Sequence, residues 1–285
     1  MHPAVGRPAP ASRLFDIANY VLFLVLSLTF LYPFWTILAQ SFGPAEDTYR
    51  LGVHLLPSEL TAAAWVRVLS EGRVGWAYLN SVVRVVVGTA WAVLVTFTAA
   101  YALARRDLPG RKWLTAAYVL TLFVNGGLIP TFLLVRSLGL MNTRVVLVLA
   151  MGGPLVMGVN VLYIVIARNF LMTIDQSLED SAVIDGASYW QVLWRVIAPL
   201  SKPAIAVVAL WSAVAHWNAW FDAMVFAPKP QVRVLQLLLR YMLADRSPGP
   251  LESATIIITI APIVLLYPFV QRHFVRGVML GSLKG

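Results

Sequence analysis

Six long apolar segments constrain the fold of this chain, because each is long enough to cross a lipid bilayer. A helical span needs roughly 20 apolar residues to cross about 30 Å of hydrocarbon. Since lipid offers no hydrogen-bond partner to a peptide group, each segment is predicted to be a helix. The sequence therefore predicts an all-α polytopic membrane protein, with one transmembrane domain over residues 1–285. Its predicted spans are approximately Phe15–Phe42, Ser81–Ala104, Trp113–Leu134, Val145–Ala167, Pro203–Phe226 and Ser253–Phe274.

The composition agrees with a membrane-embedded chain. Hydrophobic residues make up 59% of it and charged residues 12%, whereas soluble domains are about 45–50% apolar and about 25% charged. The net charge of +9 comes from basic residues grouped at the ends of apolar runs, which argues against a nucleic-acid partner. The first apolar run is longer than the core of a signal peptide and no cleavage site follows it, so it is predicted to be a retained span.

The distribution of Lys and Arg predicts the orientation. The most concentrated basic cluster is RRDLPGRK, residues 105–112, in the short loop between the second and third spans. Short basic loops lie on the cytoplasmic side of the membrane. This places both termini in the cytoplasm, together with the loop between the fourth and fifth spans.

That loop, about residues 173–199, has helix–turn–helix signals. Thr173 with Gln176, and Ser177 with Asp180, fit capping boxes for a first helix over roughly Asp175–Asp185. Gly186 suits the left-handed position that ends a helix. Ser188 with Gln191 predicts a second helix to about Ala198, which Pro199 would end.

The first of these helices is acidic and rich in small residues. Small side chains let another surface approach the backbone closely, so the hairpin is predicted to dock into a cleft on a soluble partner. The alternative is a solvated amphipathic loop without a partner. The residues assigned to docking are Glu179, Asp180, Ser181, Ala182, Asp185, Gly186, Ala187 and Pro199.

The same segment resembles the EAA loop of ABC importer permeases, which reads EAA, three residues, Gly, nine residues and Ile-x-Leu-Pro. The matching positions are Asp180-Ser181-Ala182, Gly186, Val196, Ala198 and Pro199. Asp replaces Glu, Ser replaces Ala, Val replaces Ile and Ala replaces Leu. Further stretches look like carbohydrate-importer permeases of the maltose type, in particular the complex polysaccharide or oligosaccharide subgroup: YPFWTILAQSF, NSVVRVVVGTA, YALARRDLPGRK, GGLIPTFLLVRSLGLMNT, RNFLMTIDQSLEDSAVIDGAS, HWNAWFDAM and GVMLGSLKG.

The resemblance implies a type I ABC importer permease in a bacterial cytoplasmic membrane. Such a subunit pairs with a homologous second permease, two cytoplasmic ATPase subunits and an extracytoplasmic solute-binding protein. The ATPases would bind ATP and Mg²⁺, and their closure would move the hairpin. The resemblance also implies that the C-terminal tail contacts an ATPase, through Gly281, Ser282, Leu283, Lys284 and Gly285. The outer loop at 229–250 would contact the binding protein or pack on the membrane surface.

The sequence predicts no catalytic or metal site in this chain. It has no G-x-x-x-x-G-K-[ST] phosphate loop, no H-E-x-x-H and no G-x-S-x-G. It has no cysteine, and its four histidines are far apart, without carboxylates at ligand spacing. We therefore expect a transport subunit without its own enzyme activity.

Polar residues inside the spans are candidates for the translocation path. Arg84 and Asp222 are predicted at similar depth, where they could pair, or Arg84 could face the path or extend to the interface. Trp217, Asn218 and Trp220 combine aromatic and hydrogen-bonding groups, as sugar sites do. Tryptophan also lines membrane interfaces, and a buried amide often bonds a neighbouring helix. The full candidate set is Arg84, Asn125, Asn160, Trp217, Asn218, Trp220 and Asp222.

The sequence thus predicts half of a translocation pathway for an oligosaccharide or other carbohydrate. The first alternative is an importer of the same architecture for a non-sugar solute. The second is a stand-alone membrane facilitator, which would leave the acidic hairpin without a purpose.

Overall fold

The fold is described from a computed structural model. The structure describes residues 10–49, 55–124, 126–149, 155–156, 159–244 and 249–265. The chain divides into two compact units, one of Met1–Ser70 with Asp245–Ile258 and one of Glu71–Ala244 with Thr259–Gly285. The assignment of the whole chain to one domain stays a prediction.

The first unit contains α1 (Pro10–Ser41), a 3-10 helix (Ala45–Tyr49) and α2 (Ala63–Ser70). Apolar side chains are exposed along most of α1, as expected for a helix that lipid or another subunit covers. Beyond its end, the Phe42 ring stacks on Trp65 with centroids 5.4 Å apart. The indole Nε1 of Trp65 also donates to Ser41 Oγ at 3.3 Å.

The second unit is built around α3 (Gly72–Ala104), a continuous helix of 33 residues. It packs most extensively against α11 (Lys202–Asn218) and α7 (Val161–Leu171). The other helices of this unit are α4 (Arg111–Phe123), α5 (Leu128–Ser137), α6 (Arg144–Leu149), α8 (Gln176–Ile184), α9 (Tyr189–Gln191), α10 (Ala198–Leu200), α12 (Phe221–Phe226) and α13 (Leu235–Ala244). A further helix, α14, covers Pro250–Leu265.

Several predicted spans are interrupted rather than continuous. The third corresponds to α4 and α5, which meet at 111°; Gly127 there has a left-handed φ of 83°, and Pro130 follows in the first turn of α5. In the fourth, the two-residue antiparallel strands β1 (Leu155–Val156) and β2 (Val159–Asn160) lie between α6 and α7. The fifth is divided between α11 and α12.

Length and composition identify two described helices that could each cross a membrane, Arg13–Ser41 and Gly72–Ala104. The number rises to at most five among the described residues if each bent pair of helices is one span. The predicted number of six, and the end of the sixth span beyond residue 265, stay predictions.

Small residues bring the central helices together. Ala92 and Ala100 on α3, Ala167 on α7 and Ala204 on α11 are buried in one apolar cluster with larger side chains such as Phe97. Lipid tails are as apolar as leucine, so helices in a membrane gain stability from close van der Waals packing more than from removal of water. The small residues allow that packing.

α3 makes a close contact with a side chain of α11 at Gly88. A Cβ atom built on Gly88 would lie 2.4 Å from Nε2 of His216, whose side chain is buried on α11. A contact this short would force the His216 ring to shift, so the glycine leaves the space that this ring occupies between the two helices.

We therefore expect Gly88→Ala to lower the stability of the bundle by about 1–3 kcal/mol, the usual cost of overpacking. Thermal unfolding in detergent measures this change. The matched control is Gly75→Ala on the same helix, where an added Cβ meets nothing within 4 Å. That variant should be as stable as the native chain or more so, because alanine favours helix. His216→Ala should restore part of the stability lost by Gly88→Ala, and an unperturbed Gly88→Ala variant would contradict the packing argument.

Candidate coupling site

The predicted hairpin is present, and its turn is as expected. α8 is followed by Gly186, whose φ of 86° is in the left-handed region that favours glycine. The second arm begins with a complete capping box, in which Ser188 Oγ accepts from the Gln191 amide and Gln191 Oε1 accepts from the Ser188 amide at 2.8 Å. The predictions for Gly186 and for Ser188 with Gln191 are confirmed.

The predicted caps of the first arm are wrong. Asp175 is the N-cap of α8, and its carboxylate accepts from the Ser177 amide at 3.0 Å. This backbone hydrogen bond holds the pKa of the Asp175 carboxyl below its usual range. The Thr173 hydroxyl instead donates to Phe170 O, in the last turn of α7, at 2.7 Å. It is therefore bonded to the preceding helix and does not cap α8. Ser177 lies inside α8, so it cannot cap it.

Pro199 does not end the second arm, contrary to the prediction. After α9 the backbone widens into a π-helical segment, Val192–Ile197, and continues through α10 to Leu200. Proline lacks an amide hydrogen and its ring clashes with the carbonyl four residues earlier. The wider turn, in which the Ala198 amide bonds to Leu193 O, accommodates that ring. The chain then bends by 88° before α11.

Glu179 joins the hairpin to the end of α3. Its Oε1 accepts a hydrogen bond from the Tyr101 hydroxyl at 2.7 Å and lies 3.1 Å from Nη1 of Arg105. The Glu179 side chain is only 17% exposed. Glu179 was expected among the docking residues, and the structure places it on the inner side of α8 instead.

Arg105 contacts both arms of the hairpin and its own loop. Its guanidinium carbon lies 3.6 Å from the ring centroid of Tyr189, the first residue of the second arm. Arg105 Nε also donates to Asp107 Oδ1 at 2.9 Å, and Arg105 Nη2 bonds to the other oxygen of the same carboxylate. These two bonds hold the pKa of the Asp107 carboxyl below its usual range. The same bonds raise the pKa of Arg105, so this residue stays positively charged. This role was not predicted from the sequence, where the Arg-Arg-Asp run is its only signal.

The outer side of the hairpin carries most of the predicted docking residues. Asp180, Ser181, Asp185, Gly186 and Pro199 are exposed. Ala182 and Ala187 are half-buried and pack on the central apolar cluster.

An apolar residue completes this outer surface. Ile184, which was not among the predicted docking residues, is 84% exposed at the end of α8. An open cavity of about 670 Å³ lies between α8 and the end of α3, with Arg105, Arg106 and Asp180 among its lining residues. We call the exposed surface formed by Asp180, Ser181, Ile184, Asp185 and Gly186 the docking face.

Two groups of predicted site residues lie outside the described part of the chain. They are Asn125 and the tail residues Gly281, Ser282, Leu283, Lys284 and Gly285. Their roles stay predictions.

Arg84 and Asp222 form a buried ion pair, the first of the three arrangements considered for them. Both residues are almost fully buried, and Arg84 Nη2 bonds to Asp222 Oδ2. Arg84 Nη1 also donates to Ala219 O at 3.1 Å, where α11 gives way to α12. The pair therefore ties α3 to the interrupted fifth span.

Asn80, which was not among the predicted site residues, adds further contacts to the first half of α3. Its Nδ2 donates to Gln231 O and Arg233 O at 3.0 Å, and its Oδ1 accepts from Arg144 Nε. Four residues along α3 from Arg84, it attaches the segment before α13 to the same helix.

The other candidates for the translocation path have structural contacts of their own. Trp217 is buried and its Nε1 donates to Thr259 O at 3.1 Å. Arg240 stacks 3.7 Å above the Trp220 ring. Asn160 caps α7 by accepting from the Leu162 amide, and the exposed Asn218 donates to Val214 O. A role of these residues in binding solute stays a prediction.

The buried ion pair allows a sharp test. Asp222→Leu leaves the Arg84 guanidinium buried without its partner, so we expect it to destabilise the bundle by about 3–5 kcal/mol. The double variant Arg84→Met with Asp222→Leu removes both charges and should recover most of that loss. The control is Arg73→Met, which breaks an exposed pair with Glu71 on the same helix and should change stability by less than about 1 kcal/mol. Thermal unfolding in detergent measures these changes. If Asp222→Leu loses no more stability than the control, the ion pair does not hold the bundle together.

Comparisons with known proteins agree with this fold. The model of the family described as binding-protein-dependent transport system inner membrane component matches residues 108–280. The chain is 34% identical to the polygalacturonan/rhamnogalacturonan transport system permease protein YtcP of Bacillus subtilis, over 96% of this chain and 99% of that protein. It is 37% identical to protein LplC of the same organism, over 96% of each chain.

A solved structure has the same fold. It is the crystal structure of a bacterial ABC transporter involved in the import of the acidic polysaccharide alginate, with a TM-score of 0.84 and 30% identity. The match covers 95% of this chain and 100% of that one. The chain therefore belongs to the family of inner membrane components of binding-protein-dependent transport systems, as its resemblance to importer permeases predicts.

Proposed function

We propose that this chain is the permease subunit of an ATP-driven, binding-protein-dependent importer of an oligosaccharide. In this proposal it forms half of the translocation pathway together with a homologous second permease. Two ATPase subunits bind and hydrolyse ATP on the cytoplasmic side, where both termini and the hairpin lie. An extracytoplasmic binding protein delivers the solute. The exposed apolar surface of α1 supports a lipid or subunit contact.

The observation that carries this proposal is the division of the hairpin into an anchored side and an exposed side. Glu179 on the inner side bonds to Tyr101 and Arg105, whereas the docking face on the other side has no cover within the described part of the chain. A partner that moves the docking face would therefore move the end of α3 with it. This arrangement suits rigid-body alternating access driven by another subunit.

The solute is proposed to be an acidic oligosaccharide. The similar permease YtcP is named for polygalacturonan and rhamnogalacturonan, and the similar solved transporter imports alginate. The polysaccharides in both names contain sugars that carry carboxylates. In this chain the Arg84 guanidinium already faces Asp222, so we do not assign it to recognition of the solute carboxylate.

Uptake into proteoliposomes tests the proposal directly. The complete importer, with its binding protein, should accumulate oligogalacturonate in the presence of ATP and should accumulate a neutral oligosaccharide less well. A chain that purifies without an ATPase and transports without ATP would be a facilitator, contrary to the proposal. If the importer takes up only a non-sugar solute, the proposed solute is wrong and the proposed ATP-driven import stands.

The docking face predicts a specific assembly defect. Asp180→Lys reverses an exposed charge on that face, so we expect the amount of ATPase that co-purifies with the permease to fall several-fold. The matched control is Asp16→Lys, the same reversal at an exposed acidic residue of α1, which should leave assembly unchanged. Equal ATPase recovery in both variants would show that the acidic contact is incidental.

The turn of the hairpin predicts an uncoupling defect. Gly186→Val places a β-branched residue at a left-handed φ, which costs about 1–2 kcal/mol or more, and should reorient the docking face. ATP hydrolysis per transported solute should rise in proteoliposomes. Gly139→Val imposes the same strain at another left-handed glycine, away from the hairpin, and serves as the control. If the two variants have the same ratio of hydrolysis to transport, the turn has no special part in coupling.

A further inference from the structure

Two arginine side chains converge on one backbone carbonyl at the end of α3. Arg111 Nε donates to Leu103 O at 3.0 Å, and Arg168 Nε donates to the same oxygen, also at 3.0 Å. Leu103 belongs to the last turn of α3, where carbonyl groups lack helical partners. The shared acceptor places the two Nε atoms within two hydrogen-bond lengths of each other.

Neither guanidinium has a carboxylate partner in the part of the chain that the structure describes. Among the described residues, no ion pair includes Arg111 or Arg168, whereas Arg105, at the start of the same loop, pairs with both Asp107 and Glu179. Two like charges this close repel each other. A single weak carbonyl acceptor does not neutralise them, so the arrangement favours an anion.

Each guanidinium also retains hydrogen-bond donors. A guanidinium has five N–H groups, and one from each arginine is used at Leu103. The other contacts are weak: Arg111 Nη2 lies 3.6 Å from Met172 Sδ, and Arg168 Nη1 lies 3.5 Å from Asn169 Oδ1. Two half-buried forks with spare donors are suited to the oxygens of a phosphate group.

The surface around the pair is that of a membrane interface. Lys112 is exposed beside Arg111, and Trp113 follows with 82% of its surface exposed. Leu114 and Leu120, farther along α4, are exposed apolar residues. Tryptophan and basic residues next to an apolar surface are typical of the headgroup region, and basic pockets between helices on the cytoplasmic side bind anionic headgroups.

We propose that Arg111 and Arg168, with Lys112 beside them, bind the phosphate group of an anionic lipid of the cytoplasmic leaflet. The bound phosphate places a negative charge between the two guanidiniums, reduces their repulsion and holds the ends of α3, α4 and α7 against the leaflet. The inference rests on the proposed topology, but its test measures retained lipid and requires neither transport nor a known solute. A failure of the proposed function in uptake therefore leaves this test intact.

The test uses the complete purified importer in nanodiscs of phosphatidylcholine with added phosphatidylglycerol. Native mass spectrometry after release from the nanodisc counts the phosphatidylglycerol that remains bound. We expect the native complex to retain it and the double variant Arg111→Gln with Arg168→Gln to retain several-fold less. The control is Arg106→Gln, which removes one exposed positive charge from the same loop and should retain native amounts.

Equal retention by the double variant and the control would overturn the proposal. If the double variant does not assemble, each single variant is compared with Arg106→Gln, and equal retention again overturns it. Inorganic phosphate is added to phosphatidylcholine nanodiscs as a second arm. Stabilisation of the native complex by phosphate, without retention of phosphatidylglycerol, would identify a soluble ligand instead. Loss of ATPase subunits with lipid retained would identify a protein contact.

Discussion

The continuity of α3 is the constraint on which the rest of the second unit depends. One uninterrupted helix carries Asn80 and Arg84 in its first half, Gly88 at its middle and Tyr101 at its last turn, followed by Arg105. At 1.5 Å per residue, Arg84 and Arg105 lie about 30 Å apart along the axis. A helix of this length transmits displacement only if both halves are attached to neighbouring elements, and both are. The ion pair with Asp222 attaches the first half, and Glu179 attaches the last turn.

The polar groups of α3 have a different energetic role from its apolar ones. Apolar packing in lipid is not strongly directional, so it depends on shape, with Gly88 and the alanines setting how closely helices approach. Buried charges are costly without partners. The Arg84–Asp222 pair therefore favours one relative position of α3 and the break between α11 and α12. Shape and pairing together select one arrangement.

The acidic run of the hairpin has two roles: one carboxylate attaches the hairpin to α3, and the next is exposed on the docking face. Glu179 and Asp180 are adjacent, yet the first faces α3 and the second is exposed. Adjacent residues of a helix point about 100° apart, so an acidic run on a short helix has both an inner and an outer member. Arg105 then contacts the inner carboxylate and the Tyr189 ring, and so joins both arms. Arg111 and Arg168, which pair with no carboxylate among the described residues, remain for another anion.

The sequence by itself determined the helical membrane class, the family and the hairpin turn, because these depend on local properties. Apolar length requires helices in lipid, Gly186 permits a left-handed turn, and Ser188 with Gln191 caps a helix within four residues. Only the tertiary structure decided that Glu179 faces inward, that Arg84 pairs with Asp222 and that Asn80 attaches the segment before α13 to α3. These contacts join residues 78, 138 and more than 150 positions apart. Periodicity and spacing describe neighbours along the chain and do not predict contacts between residues this far apart in sequence. The packing of the helices determines those contacts.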